Sequence, residues 1–407
     1  MTTPTLKRRL SLPLLMFYGL GNILGAGIYV LIGKVVGVAG IYAPVSFLVA
    51  STLAMFTAFS YAELSSRYPL SAAESVYVHE AFGVRTLSLI VGVLVIIAGT
   101  LSSAAIVQGF VGYFNVFIDS PKSLTIIMIV AIIAGFAIWG ILESVGLAVL
   151  FTLMEVGGLL LIIWAGRNEL INLPTHLPAL IPTSDWSVWY GIFWGGLLAI
   201  YAYIGFEDMV NVAEEVKNPR INMPAAILMA LGISALLYFA VSLVAVLALP
   251  PERLAQSDAP LALIYQHYTG KAPVLISAIG LFAVINGALI QIIMVSRLLY
   301  GLSKKAWIPS VFGKVSKQTG TPVIATIVSA LAVMLLSLSM DIASLAEQTS
   351  IVILIIFVLV NASLLKVKKH DPHPPGVITY PVILPVLGLI SAIAFIMLRL
   401  FANILDN

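Results

Sequence analysis

Apolar residues run along this chain in eleven long stretches separated by short segments rich in Gly, Pro and charge. The stretches fall at roughly 12–36, 41–64, 85–114, 123–142, 145–165, 188–212, 224–249, 273–301, 322–340, 345–365 and 380–402. About 20 mostly apolar residues carry a helix across the hydrocarbon core of a bilayer. Each stretch is therefore read as a spanning helix, and the excess length of several predicts tilt or a break. The expected fold is an all-α polytopic membrane protein with 11 transmembrane helices. The first stretch follows Lys7, Arg8 and Arg9, as a signal peptide would. It runs past a usual signal h-region and more spans follow, so it is expected to be a retained helix. Leu261 to Tyr268, in an outer connector, is expected to form a short helix.

Basic residues orient the spans. With a cytoplasmic N-terminus, fifteen of the 21 Lys and Arg residues fall inside, among them Lys7, Arg8, Arg9, Arg67, Arg85, Lys304, Lys305, Lys366, Lys368 and Lys369. Five fall outside, and Arg399 lies near an outer end. An odd number of spans then puts the C-terminus outside. A multi-pass protein of the plasma or inner membrane is expected.

Composition sharpens this picture by exclusion. Of 407 residues, 60% are hydrophobic and 10% charged, against about 25% charged in an ordinary soluble domain. That is too little charge to cover a soluble globule of this length. The absence of cysteine removes disulfides, thiolate metal sites and cysteine nucleophiles. A net charge of +3 gives no reason to expect nucleic acid. No H-E-x-x-H, G-x-S-x-G or G-x-x-x-x-G-K-[ST] run occurs, which disfavours a metalloprotease, a serine hydrolase and an ATP-driven pump. A channel would call for a selectivity ring or repeated pore loops, and neither is found. No cofactor, metal or catalytic residue is expected.

Two spans carry clustered glycine. The first holds Gly19, Gly21, Gly25, Gly27 and Gly33, centred on Gly25-Ala26-Gly27. The sixth holds Gly191, Gly195, Gly196 and Gly205, followed by Phe206-Glu207-Asp208. Glycine costs about 1 kcal/mol against alanine inside a helix, so a mid-span cluster favours unwinding. Close packing through small residues is the plainer explanation. Position favours a break. The clusters open two successive sets of five spans, 12–166 and 188–365, flanked by the N-terminal segment 1–11, an outer loop 167–187, and a basic loop with an extra helix at 366–407. Five is odd, so the second set must lie inverted relative to the first. Paired interrupted helices in inverted repeats point to a transporter site. An interrupted helix offers free N–H groups to a carboxylate and free C=O groups to an ammonium or cation. A zwitterionic amino acid matches both.

At these residues the chain resembles the amino acid–polyamine–organocation (APC) superfamily of transporters, with the inverted five-plus-five fold of the bacterial leucine transporter. The resemblance extends over almost the whole chain. It rests on Gly25-Ala26-Gly27-Ile28-Tyr29, Tyr61-Ala62-Glu63-Leu64-Ser65 with Pro69, Gly205-Phe206-Glu207, and Ala213-Glu214-Glu215-Val216-Lys217-Asn218-Pro219. Arg297-Leu298-Leu299-Tyr300-Gly301 and Gly320-Thr321-Pro322-Val323 complete it. It implies that N–H groups of Gly25, Ala26 and Gly27 hold a substrate carboxylate, and that carbonyls of Ile23, Tyr201, Ala202 and Ile204 hold its amino group. It also makes Phe206 a gate, and makes spans 3, 8 and 10 the side-chain pocket. Ser102, Ser103, Asn286 and Gln291 are polar candidates there, although helix–helix hydrogen bonding is the simpler explanation for any one of them. The chain departs from the family at Ala26, where a hydroxyl is usual. It departs again at Ala72-Ala73-Glu74, where Gly-Gly is usual, and many members have a twelfth span.

Ionisable residues inside a membrane are functional candidates by default. Glu63 and Glu143 are expected at interfaces in structural roles. Glu155 sits mid-way in span 5, where some family members have a lysine facing the first helix. Burial and carbonyl dipoles there would both penalise a negative charge, so Glu155 is the expected proton-coupling residue. Sodium binding and a permanently neutral, hydrogen-bonded acid are the alternatives. Glu207 is expected to cap the second half of span 6 or to contact substrate, and Asp208 beside it would favour a cationic substrate if it faces the pocket. The expected activity is secondary active amino acid transport by alternating access, driven by H⁺ or, failing that, Na⁺, with exchange as the mechanistic alternative.

Overall fold

A computed structural model describes residues 8, 10–25, 27–70, 73–139 and 145–405. Lys7, Arg9, Ala26, Ala72 and Glu143 lie outside the described residues. The described residues are overwhelmingly helical: α1 (Leu12–Leu24), α2 (Gly27–Ala39), α3 (Ala43–Arg67), α4 (Ala73–Phe82), α5 (Arg85–Asn115), α6 (Lys122–Trp139), α7 (Val145–Ala165), α8 (Arg167–Ile171), α9 (Leu173–Leu180), α10 (Trp186–Tyr203), α11 (Pro219–Ala248), α12 (Pro251–Gln256), α13 (Pro260–Thr269), α14 (Val274–Lys304), α15 (Val323–Ser339), α16 (Ile342–His370) and α17 (Ile383–Leu405). Helix lies over all eleven apolar stretches. By length and hydropathy, eight helical stretches qualify to cross a membrane. The first runs from Leu12 to Arg67 through a break, and Val149–Ala165 and Val323–Ser339 are shorter apolar helices. The helix expected at Leu261–Tyr268 is α13.

Local chemistry sets several helix starts. Proline stands in the first two positions of α1, α3 and α11, where its missing N–H costs nothing and its fixed φ suits the helix. Asp185 caps α10, accepting from the Ser187 N–H at 3.0 Å. Asp341 caps α16, accepting from the Ala343 and Ser344 N–H groups at 3.0 Å each.

The helices pair in a reciprocal pattern. α1 packs on α11 and α7, while α10 packs on α3 and α16. α2 crosses α10, α5 lies along α14, α6 lies along α15, and α17 covers α3 and α16. Outward faces carry exposed Leu, Ile and Phe, such as Ile127, Leu236, Leu335 and Phe401. So much exposed apolar surface would be a liability in water and is the requirement in lipid. The chain is an all-α, multi-pass membrane protein.

Glu63, near the end of α3, is fully buried within the protein. Its Oε1 pairs with Arg67 at 2.7 Å and its Oε2 with Lys368 at 2.7 Å. The Tyr380 N–H donates to Oε2 at 2.9 Å. Arg67 Nη1 donates to the Asp371 carbonyl at 2.9 Å and Lys368 Nζ to the Tyr380 carbonyl at 2.8 Å. The segment between α16 and α17 is thereby strapped across the end of α3. Beside it, Leu10 and Val216 form a parallel backbone bridge: Leu10 N–H donates to Glu215 O at 3.0 Å and Lys217 N–H to Leu10 O at 2.8 Å.

Candidate functional site

Both glycine clusters break their helices. α1 ends at Leu24, the Gly25 N–H still closes on Gly21 O at 3.0 Å, and α2 restarts at Gly27. The Gly25 donor is thus spent inside α1. The free donors at this break belong instead to the first turn of α2, beginning at Gly27. α10 ends at Tyr203, Ile204 turns extended (φ −59°, ψ 138°), Gly205 takes φ +125°, and a 3₁₀ run follows over Glu207–Glu215. Only glycine adopts that φ without strain. The expected second half-helix is therefore a 3₁₀ segment rather than an α-helix.

The two breaks lie against each other. A Cβ on Gly27 would come within 2.2 Å of Ala202 Cα, and one on Gly205 within 2.8 Å of the Asn22 carbonyl. Glycine therefore does two jobs, releasing backbone groups and letting two chains approach. Asn22 Nδ2 bridges them, donating to Gly205 O and to Asp208 Oδ2 at 3.0 Å each. Glu207 Oε2 accepts the Gly205 N–H at 2.9 Å, a bond to the break itself rather than a cap on the 3₁₀ run that follows, which has no side-chain cap.

Beside the second break is a cavity of about 10 Å³, room for roughly one water. Its polar wall is Glu74, Ser102, Glu207, Asp208 and Gln291. Gln291 Nε2 donates to Asp208 Oδ2 at 3.0 Å, while Gln291 Oε1 and Glu207 Oε1 are buried without a hydrogen-bond partner. Both acids after the break face this cavity. Glu74 is the residue that sequence reasoning missed. It stands in the first turn of α4, packed on α5 and α16, and burial pushes its carboxyl up to about 8. Its only signal was an acid where the family usually places glycine nearby.

The other expected residues separate into groups. Ser102 and Ile204 line the cavity, and Tyr201 Oη donates to the Ser102 carbonyl at 2.9 Å. Ala202 lies under Gly27. The Ile23 carbonyl accepts from Tyr238 Oη at 2.8 Å, which leaves it one lone pair. Ser103 donates to the Ala288 carbonyl at 3.4 Å, a link between α5 and α14. Phe206, the expected gate, does not line this cavity. It is fully buried in an aromatic cluster, 5.6 Å from the Tyr61 ring and 5.5 Å from that of Phe357.

Glu155 and Asn286 form a second, distinct buried pair. Asn286 Nδ2 donates to Glu155 Oε1 at 3.2 Å, and Glu155 Oε2 has no partner. A Cβ on Gly25 would lie 3.4 Å from Oε1, so the carboxyl rests against the C-terminal end of α1, as expected of a residue in span 5 that meets the first break. Tyr29 Oη fixes the Glu155 carbonyl at 2.6 Å, and Thr152 Oγ1 fixes that of Phe17 at 3.0 Å.

Comparison with known proteins gives a family and a spread of cargoes. Residues 10–405 match the family described as amino acid permease. The chain is 28% identical to cationic amino acid transporter 2, vacuolar, of Arabidopsis thaliana, over 90% of this chain and 61% of that one. It is 27% identical to the branched-chain amino acid permease BcaP of Bacillus subtilis, over 93% and 84%. It is 26% identical to the methylthioribose transporter of the same bacterium, over 95% and 87%. The chain spans about three fifths of the length of the plant relatives.

Proposed function

The chain belongs to the amino acid permease family, and we propose that it is a proton-coupled secondary transporter of amino acids in the cell membrane. The observation that carries this reading is the contact between two broken helices, Gly27 on Ala202 and Gly205 on Asn22. The free N–H groups opening α2 suit a carboxylate, by partial positive charge as well as by hydrogen bonding. The carbonyls of Ala202 and Ile204, with the remaining lone pairs of Ile23 and of Tyr201, whose carbonyl already accepts the Ile204 N–H at 3.2 Å, suit an ammonium. The reciprocal pairing of α1 with α11 and α10 with α3 supports two five-helix repeats, 12–166 and 188–365. One bundle would rock against the other helices around the breaks, with the N-terminus cytoplasmic and the C-terminus outside.

Glu155 would carry the coupled proton. Loss of its proton leaves a charge between Asn286 and the carbonyl end of α1, a position that only a water-filled site tolerates. The protein reconstituted in liposomes should take up labelled amino acid saturably, faster with an inward proton gradient, and should show counterflow. Glu155→Gln should flatten the pH dependence of uptake, and an unaltered pH profile would remove the proton role. Counterflow without net uptake would assign exchange, a Na⁺ requirement at fixed pH would assign sodium, and large unitary currents would overturn the carrier reading.

A further inference from the structure

We propose that the cavity between α4, α5, the 3₁₀ run and α14 is a subsite for the primary ammonium of a cargo side chain, so that the cargo is a diamino acid such as lysine or ornithine. This rests on the transporter reading above and names its cargo class, which the relatives' names leave open between basic, branched-chain and sulfur-sugar molecules.

Glu74 from α4 and the adjacent Glu207 and Asp208 from the 3₁₀ run reach the cavity, and no Lys, Arg or His lines it. Acids alone do not make a site; the hydrogen-bond ledger points to a ligand. The Gly205 N–H is spent on Glu207 Oε2. Asn22 Nδ2 and Gln291 Nε2 both donate to the same atom, Asp208 Oδ2. Glu207 Oε1 and Gln291 Oε1 are left as buried acceptors without donors, on side chains 3% and 5% exposed. What completes this wall is a group rich in donors, free of acceptors and positively charged. A primary ammonium has three N–H donors and no acceptor.

Size separates it from other cations. The cavity has room for about one water, close to the bulk of an ammonium head. A guanidinium is a flat fork of five donors and needs more space. Among the described residues no three His, Cys, Asp or Glu are disposed to hold a metal ion. The cavity also includes Ile204 of the second break and apolar walls at Val95, Ala98, Met294 and Ile353. A zwitterion held at the breaks would therefore bring only the ammonium head of its side chain into this cavity, setting the charge among the acids.

Equilibrium binding to the purified full chain tests this with L-lysine, L-ornithine, L-arginine, L-norleucine and cadaverine. Norleucine keeps lysine's stem and lacks its ammonium. Lysine and ornithine are expected to bind roughly 10- to 100-fold tighter than norleucine, the range for hydrogen bonds to a charged group, with arginine weaker than lysine. Glu74→Gln and Asp208→Asn should each shrink the lysine-to-norleucine ratio. They sit on different segments, so either one that folds reports, and the wild-type panel needs neither. Equal binding of norleucine and lysine, or ratios unmoved in both variants, overturns the subsite. Cadaverine binding as tightly as lysine would keep the ammonium subsite and overturn the diamino-acid assignment. Binding of neutral amino acids in preference to lysine would sink the subsite and leave the transporter reading standing. Binding of no amino acid at all would sink that reading itself.

Discussion

At the scale of single residues, the site is built from positions that tolerate one side chain only. Gly205 combines φ +125° with the Asn22 backbone at 2.8 Å from any added Cβ. Such a conformation costs a non-glycine residue about 1–3 kcal/mol, before any clash. Gly205→Ala should lower the thermal stability of the detergent-solubilised protein by at least that amount, and an unchanged melting temperature would mean that the two breaks do not touch. The glycines were legible in the sequence because conformational freedom belongs to the residue itself. The acids were legible only in part. Glu207 and Asp208 stood out by adjacency to the break, but that both line the cavity follows from the turn at Gly205, whose course depends on packing against Asn22. Glu74 was missed because its burial comes from packing of α4 on α5 and α16. The pairing of Glu155 with Asn286 spans 131 residues, a distance at which periodicity carries no information.

At the scale of elements, hydropathy located the long apolar helices but not the short connecting ones, α4, α8, α9 and α12, and its other errors came at the ends and the breaks. A window of apolar residues does not distinguish α-helix from the extended turn and 3₁₀ run that finish span 6. Helix starts follow local chemistry more closely. Asp341 accepts from two N–H groups and from the Ser344 hydroxyl, and these bonds hold its carboxyl below the usual carboxylate range. Asp341→Ala should cost about 1 kcal/mol, the usual worth of an N-cap. Because the folded state lowers this acid's pKa, the contribution is present in full above the unfolded value and lost as pH falls through the lower, folded value. Thermal melts of wild type and Asp341→Ala should differ at neutral pH and converge in strong acid. A constant difference would assign the loss to packing.

For the whole molecule, the centre of charge outside the site is the buried cluster of Glu63, Arg67 and Lys368. One carboxylate answers two cations here and also takes the Tyr380 N–H. Removing one partner from a buried ion network leaves charge uncompensated and costs about 3–5 kcal/mol. Glu63→Gln should therefore destabilise the protein by that order in a thermal melt. A loss below about 1 kcal/mol would show that water reaches the cluster. The same strap joins α3, which would move with one bundle, to α16 and α17, so transport must carry it intact or open it.

The Leu10–Val216 bridge closes the same end of the molecule by peptide groups alone. Its two hydrogen bonds belong to main-chain atoms, so alanine scanning would pass over it in silence. Only a change that deletes an amide proton, such as Leu10→Pro or Lys217→Pro, removes a bond from it. Its natural reporter is isotopic: deuterium uptake at the Leu10 and Lys217 amides should clock each opening of that end of the protein, with no label attached.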